Sequence, residues 1–183
     1  MSEEKTVVLG VTGGIAAYKA ADLASRLVQA GMIVKTVMTY SATEFVTPLT
    51  FRSLTGQPVV TEMFDLESEY NVEHVALAEA ADVVVIAPAT ANIIAKIACG
   101  IADDSLTCTV LATEATVIIV PSMNDNMYKN TVTQENIEKL KKRRFVIVEP
   151  EYGRLASGKI GQGRLAEISK IIEAVNLSLD KNQ

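Results

Sequence analysis

Short apolar runs alternate with amphipathic stretches along this chain, regularly enough to predict its elements. Residues 6–11 form a β-rich apolar run; after Gly13-Gly14, the positions Ala17, Ala20, Ala21, Ala24, Leu27 and Val28 recur at helical spacing until Gly31. That order predicts a strand, a glycine turn and a helix. A second strand follows over residues 33–38, and the Ser/Thr-rich segment 39–43 caps a helix running to about Leu49. Two βα units in succession imply parallel strands joined by right-handed crossovers.

The middle of the chain repeats the rhythm. Residues 83–87 are nearly all β-branched or small, which predicts a central strand buried on both faces, followed by Pro88-Ala89-Thr90 and a helix over 91–98. Asp103-Asp104-Ser105 opens another helix, residues 116–120 and 145–148 supply further strands, and residues 134–142 form the helix between them. An amphipathic helix over 167–177 closes the pattern. The predicted fold is α/β: a doubly wound, Rossmann-like, mostly parallel sheet with helices on both faces. It forms a single domain over residues 1–183, with frayed ends at about 1–4 and 178–183. Residues 153–163, with four glycines in eleven positions, predict a long irregular connection, either a functional flap or disordered.

Composition narrows the class. With 183 residues, 49% of them hydrophobic and 21% charged, the chain can bury one substantial core. Its apolar runs are far shorter than the roughly 20 residues of a membrane-spanning helix, and its first residues lack the apolar region of a signal peptide, so a soluble, cytoplasmic protein is expected. A net charge of −5 argues against general nucleic-acid binding, and the basic run Lys139 to Arg144 reads as the solvated last turn of a helix. The two cysteines, Cys99 and Cys108, lie in apolar helical surroundings without metal-like spacing, which predicts reduced core thiols and no metal site.

Candidate chemistry gathers at the strand ends. Gly13-Gly14 lies where backbone amides and the start of a helix would cradle a phosphate. The spacing is G-x-x-G-G rather than G-x-G-x-x-G, and strand two ends without the acidic residue that grips an adenosine ribose, so a mononucleotide is favoured over a dinucleotide. Thr39 and Ser41 after strand two, and Thr90 and Asn92 after the central strand, surround the same crevice with small polar groups. These suit a flavin with a polar ribityl chain. Pro121-Ser122-Met123-Asn124 follows a buried strand and sets an amide side chain at the carboxyl edge of the sheet. His74 is the chain's single histidine, a side chain suited to proton transfer near neutral pH.

Four segments resemble one family in order across nearly the whole chain. They are Val11 to Lys19 (VTGGIAAYK), the His74 segment leading to Ala87-Pro88-Ala89-Thr90-Ala91-Asn92, Pro121 to Tyr128 (PSMNDNMY), and Gly153 to Arg164 (GRLASGKIGQGR). The third resembles the Pro-x-Met-Asn-x-x-Met-Trp signature of the homo-oligomeric flavin-containing cysteine decarboxylases, with Tyr128 replacing the tryptophan. The resemblance is nearest to the branch serving coenzyme A biosynthesis, which decarboxylates 4′-phosphopantothenoylcysteine to 4′-phosphopantetheine. It implies FMN as cofactor, a trimer or dodecamer with the active site between subunits, and a fused or separate synthetase. The chain is then either a stand-alone enzyme or one domain of a longer product.

Position by position, the resemblance implies that Gly13, Gly14, Ile15, Thr39, Ser41, Thr90, Ala91, Asn92, Ile93 and Ser122 contact FMN. His74, Asn124 and Ser157 would be catalytic; Asn124, Met127 and Ala156 would bind substrate, with Asn124 holding its carboxylate and the 153–163 connection closing as a flap. The implied chemistry oxidises the thiol to a thioaldehyde, an electron sink that permits loss of CO2, and then returns the electrons to the enethiolate. One departure stands out. Family members of this branch commonly carry a cysteine proton donor where this chain has Ser157, and a hydroxyl is a far weaker acid than a thiol. Another group or a water then donates, or the reaction stops at the enethiol as in peptidyl-cysteine decarboxylases, or the serine is an introduced substitution. Two further alternatives are a flavin prenyltransferase, opposed by Thr12-Gly13-Gly14 in place of Gly-Ala-Ser-Gly, and a non-enzymatic FMN-binding regulatory subunit.

Overall fold

Six parallel strands make the central sheet of a computed structural model that describes residues 4–63 and 73–180. They are β1 (Thr6–Val11), β2 (Ile33–Met38), β3 (Val59–Val60), β4 (Val83–Ala89), β5 (Thr116–Pro121) and β6 (Val146–Ile147), in the order β3-β2-β1-β4-β5-β6. The first two have the boundaries that the sequence predicts. Chain order reverses between β1, with Val7 paired to Val34 of β2, and β4, with Val83 paired to Val7. A crevice therefore opens at the carboxyl ends of these two strands, where doubly wound sheets bind ligands.

Helices cover both faces. On one face α1 (Ala17–Gln29), α2 (Tyr40–Thr43), α3 (Pro48–Thr55) and α9 (Ile168–Asp180) lie over Val7, Leu9, Val11, Val85 and Ile118. On the other, α4 (Glu73–Ala80), α5 (Ala91–Cys99), α6 (Ser105–Ala112) and α8 (Thr131–Lys142) lie over Val8, Val84, Ile86 and Ile119. Because both faces are covered, the central strands read as continuous apolar runs, and every residue of β4 is buried. Each fully buried Val, Leu or Ile contributes roughly 1.5–3 kcal/mol of transfer free energy. The short helix α7 (Asp125–Lys129) follows β5, and β7 (Glu151–Arg154) pairs antiparallel with β8 (Ile160–Arg164) as a separate hairpin.

Several expectations are corrected. The helix predicted from 39 to 49 is two helices: Pro48 starts α3, and Thr47 before it is extended (φ −75°, ψ 149°), as the residue before a proline tends to be. Residues 153–163 are not an irregular connection but most of the β7–β8 hairpin; its glycines and charges hide the apolar alternation that normally marks a strand. Helix α9 continues through Asp180 with Ser178 and Leu179 buried, so fraying does not begin at 178, while residues 181–183 lie outside the described residues, as do 1–3. Cys99 is exposed and Cys108 half-buried, so neither is a core thiol, although both are free. The short elements β3 and α7 carried no periodic signal, and α8 begins at Thr131, capped by Asn130, rather than at 134. The basic run does end α8, with Lys139, Lys141 and Lys142 in its last turn. Among the described residues, no helix is long and apolar enough to cross a membrane.

Candidate active site

A cavity of about 670 Å³ opens at the crevice between β1 and β4, within the size range of small-molecule sites. Its floor is the β1–α1 turn, where Gly13, Gly14, Ile15 and Ala16 line it. Gly13 is required by close approach: a Cβ there would lie 2.3 Å from Ser41 Cβ and 2.8 Å from the Ser41 carbonyl carbon. At Gly14 the nearest atom to such a Cβ is Thr90 Cγ2 at 3.7 Å, so the protein itself leaves that side open. The buried Thr12 ties the two strands across the switch point. Its hydroxyl donates to the Pro88 carbonyl (2.7 Å) and accepts from the Thr90 N–H (3.1 Å). Thr90 in turn N-caps α5, accepting from the Ile93 N–H at 3.3 Å, which leaves the Thr90 hydroxyl hydrogen available to a ligand.

The opposite wall comes from β5–α7 and from the hairpin. Ser122, Met123, Asn124 and Met127 line it from the first, and Arg154, Leu155, Ala156, Ser157, Gly163 and Arg164 from the second. Asn124 N-caps α7: its Oδ1 accepts from the Asn126 N–H at 2.9 Å, so the Nδ2 hydrogens remain free to donate to an anionic group. Hydrogen bonds fasten the hairpin to this wall. The Met123 N–H donates to the Gly163 carbonyl (2.9 Å), the Ser122 hydroxyl to the same oxygen (3.4 Å), and the Gln162 N–H to Asp125 Oδ1 (2.9 Å). The Asp125 carboxyl is held below the usual carboxylate range by its hydrogen bond from Lys129, then by that from Gln162. Tyr128, buried behind the wall, donates to Glu149; burial first and this carboxylate second push its phenol well above the ordinary tyrosine range.

Ten of the predicted site residues meet in this cavity: Gly13, Gly14, Ile15, Thr90, Ala91, Ser122, Asn124, Met127, Ala156 and Ser157. Five do not line it. Ile93 is 1% exposed, packs in the core, and has its N–H taken by Thr90. Asn92 is exposed on α5, and Ser41 packs against Gly13 from outside the lining. Thr39, whose N–H bonds the Val11 carbonyl, keeps a buried hydroxyl without a hydrogen-bond partner among the described residues. His74 stands in the first turn of α4, half-buried, outside this chain's cavity lining. Sequence reasoning missed Thr12, Lys19 and Arg154. Thr12 and Lys19 stood inside the quoted VTGGIAAYK segment, where a buried threonine after a strand was the available signal.

The residues present fit a flavin: an open glycine turn, a free threonine donor and an amide surround a cavity of suitable size. Comparison with known proteins agrees. The family described as Flavoprotein matches residues 1–179. The coenzyme A biosynthesis bifunctional protein CoaBC of Vibrio cholerae is 45% identical over 168 residues, 92% of this chain and 42% of that protein. The chain thus spans about two fifths of the length of this curated relative. Among solved structures, a cysteine-to-serine mutant of PPC decarboxylase complexed with pantothenoylaminoethenethiol superposes with a TM-score of 0.86 at 33% identity, over 96% of this chain and 98% of that one. The FMN-dependent cysteine decarboxylase SpaF does so with a TM-score of 0.84 at 35% identity, over 97% and 96%.

Proposed function

This chain belongs to the flavoprotein family, and from that premise we propose that it binds FMN and decarboxylates 4′-phosphopantothenoylcysteine to 4′-phosphopantetheine in coenzyme A biosynthesis. One observation carries the reading. The cavity at the switch point joins a phosphate-type cradle on one wall to an amide donor and a hairpin tip on the other. The Gly13-Gly14 turn and Thr90 hold the cofactor, with Ile15, Ala91 and Ser122 against it. FMN supplies reversible two-electron chemistry at the substrate's thiol-bearing carbon, which turns a carboxylate that cannot leave into one beside an electron sink.

The chain's own residues do the rest. Asn124 Nδ2 donates to the substrate carboxylate while its Oδ1 stays committed to the α7 cap, so its orientation is set before substrate arrives. Met127 and Ala156 pack on the substrate, and the hairpin tip bearing Ser157 covers it and excludes water. We assign His74 to proton transfer. Because α4 runs antiparallel to β4, its first turn lies at the carboxyl edge of the sheet, yet His74 lies outside this chain's cavity lining. That arrangement supports a site completed by a second subunit, in a trimer or a dodecamer. The protein works in the cytoplasm, as a single domain alongside a synthetase that is fused or separate.

Ser157 favours a second reading, in which decarboxylation ends at an enethiol on a peptidyl cysteine, because the tip carries no acidic thiol. Single-turnover mass spectrometry with 4′-phosphopantothenoylcysteine and with a C-terminal cysteine peptide separates the two. The proposal expects conversion of the first substrate; conversion of the peptide alone would replace it.

A further inference from the structure

The hairpin over the cavity is fastened unevenly. At its base the Lys170 ammonium pairs with Glu151 (2.6 Å) and the Met123 N–H donates to the Gly163 carbonyl (2.9 Å). Toward its tip, residues 156–160 are exposed, and among the described residues the turn is closed on itself, by Leu155 N–H to Lys159 carbonyl (2.8 Å) and Gly158 N–H to Leu155 carbonyl (2.9 Å). Between base and tip the adjoining β5–α7 wall adds the Asp125 side chain, whose Oδ1 accepts from the Gln162 N–H at 2.9 Å. The contact is close-packed as well as polar. A Cβ on Gly161 would lie 2.7 Å from Asp125 Cγ, and one on Gly163 would lie 2.1 Å from the Met123 carbonyl oxygen, so both glycines let β8 settle onto this wall. Lys129, one turn on, holds the carboxylate at 3.0 Å.

We propose that Asp125 is a positioning residue that latches the β7–β8 hairpin over the cavity, setting how tightly a substrate is enclosed without touching the reacting atoms. Asp125 directly follows Asn124, so the segment that offers the amide to the substrate also grips the cover. Ordering of the tip by substrate and retention of substrate by the tip are then linked: an interaction that keeps the hairpin seated raises affinity by the fraction of time it keeps it seated. The carboxylate contributes equally before and after bond breaking, so its loss weakens binding and leaves the chemical step alone. The substrate named in this test rests on the function proposed above, whereas the latch itself does not.

The test uses the flavin-loaded protein, with trypsin cutting after the tip residue Lys159 as a direct measure of hairpin opening. In Asp125→Ala, where the Gln162 N–H loses its acceptor, cleavage is expected about tenfold faster and KM about tenfold higher, with kcat within about twofold. Asp125→Asn keeps an oxygen for Gln162 and should stay near the parent on both measures. Gly161→Ala, which leaves the carboxylate intact but crowds it, should speed cleavage like the alanine variant and provides the test if that variant folds poorly. Unchanged cleavage at Lys159 in both Asp125→Ala and Gly161→Ala overturns the latch, and so does a kcat loss with KM unaltered. If the parent protein does not turn over 4′-phosphopantothenoylcysteine, the functional reading fails, and the cleavage rates alone still decide the latch.

Discussion

Gly13 and Gly14 are adjacent but constrained by different neighbours, and substitution should separate them. A methyl at Gly13 meets Ser41 at distances no real Cβ adopts, so Gly13→Ala should destabilise the fold by about 1–3 kcal/mol, read as a lower denaturation midpoint. At Gly14 the protein leaves room, so Gly14→Val should purify colourless with the midpoint of the flavin-free parent, because the side chain enters the space meant for the cofactor. A full flavin spectrum in Gly14→Val would refute the cradle. Asn124 offers a similar separation. In Asn124→Asp the new carboxylate still accepts the Asn126 N–H and caps α7, so flavin and stability should persist while CO2 release falls by at least about tenfold through repulsion of the substrate carboxylate. At Ser157 the account expects a slow final reduction, with an enethiol lacking the last pair of hydrogens accumulating, and Ser157→Cys should speed its conversion to the saturated amine thiol. Equal product ratios from both proteins would show that the tip residue is not the proton donor.

At the scale of elements, legibility followed the hydrophobic period. Strands β1 and β2 matched to the residue because β-branched runs bounded by glycine or by Thr-Tyr leave little choice of end. The capping box at the start of α6, where Asp104 Oδ1 accepts from the Thr107 N–H at 2.8 Å, was signalled by Asp103-Asp104-Ser105. The hairpin was not legible, since its pairing is held by backbone bonds and by Asp125, a partner 37 residues away from Gln162. Ile93 stands on α5, where its side chain belongs to the core. Charge adds a pH signature between elements. Lys96 at the end of α5 lies 2.6 Å from Asp103 and 3.3 Å from Asp104 ahead of α6; the hydrogen bond to Asp103 chiefly raises the lysine and lowers the aspartate. The lowered Asp103 contributes stability above its unfolded value and loses it as pH falls through the folded one; the raised Lys96 contributes below its unfolded value and loses it as pH rises. The small difference in midpoint between the parent and Lys96→Met should therefore be flat from about pH 5 to about pH 9 and shrink below about pH 4. A difference that peaks in acid would contradict the pairing.

The whole molecule is a sheet whose order, β3-β2-β1-β4-β5-β6, concentrates the chemistry at one edge. That edge was foreseen from strand ends alone, because parallel strands place all their carboxyl ends together. Which walls meet was not, since the cavity depends on the hairpin folding back onto β5–α7. His74 belongs to this scale: if a neighbouring subunit completes the site, His74→Asn should keep both flavin and assembly state by size-exclusion chromatography while CO2 release falls by about a hundredfold, the low end of what a positioned acid–base group supplies. The most direct measurement is a single turnover of the yellow, flavin-loaded protein with 4′-phosphopantothenoylcysteine, following CO2 and product mass together. The account predicts one CO2 released for each substrate consumed, with 4′-phosphopantetheine or its enethiol as the organic product. Unaltered substrate in the presence of fully bound flavin would contradict it.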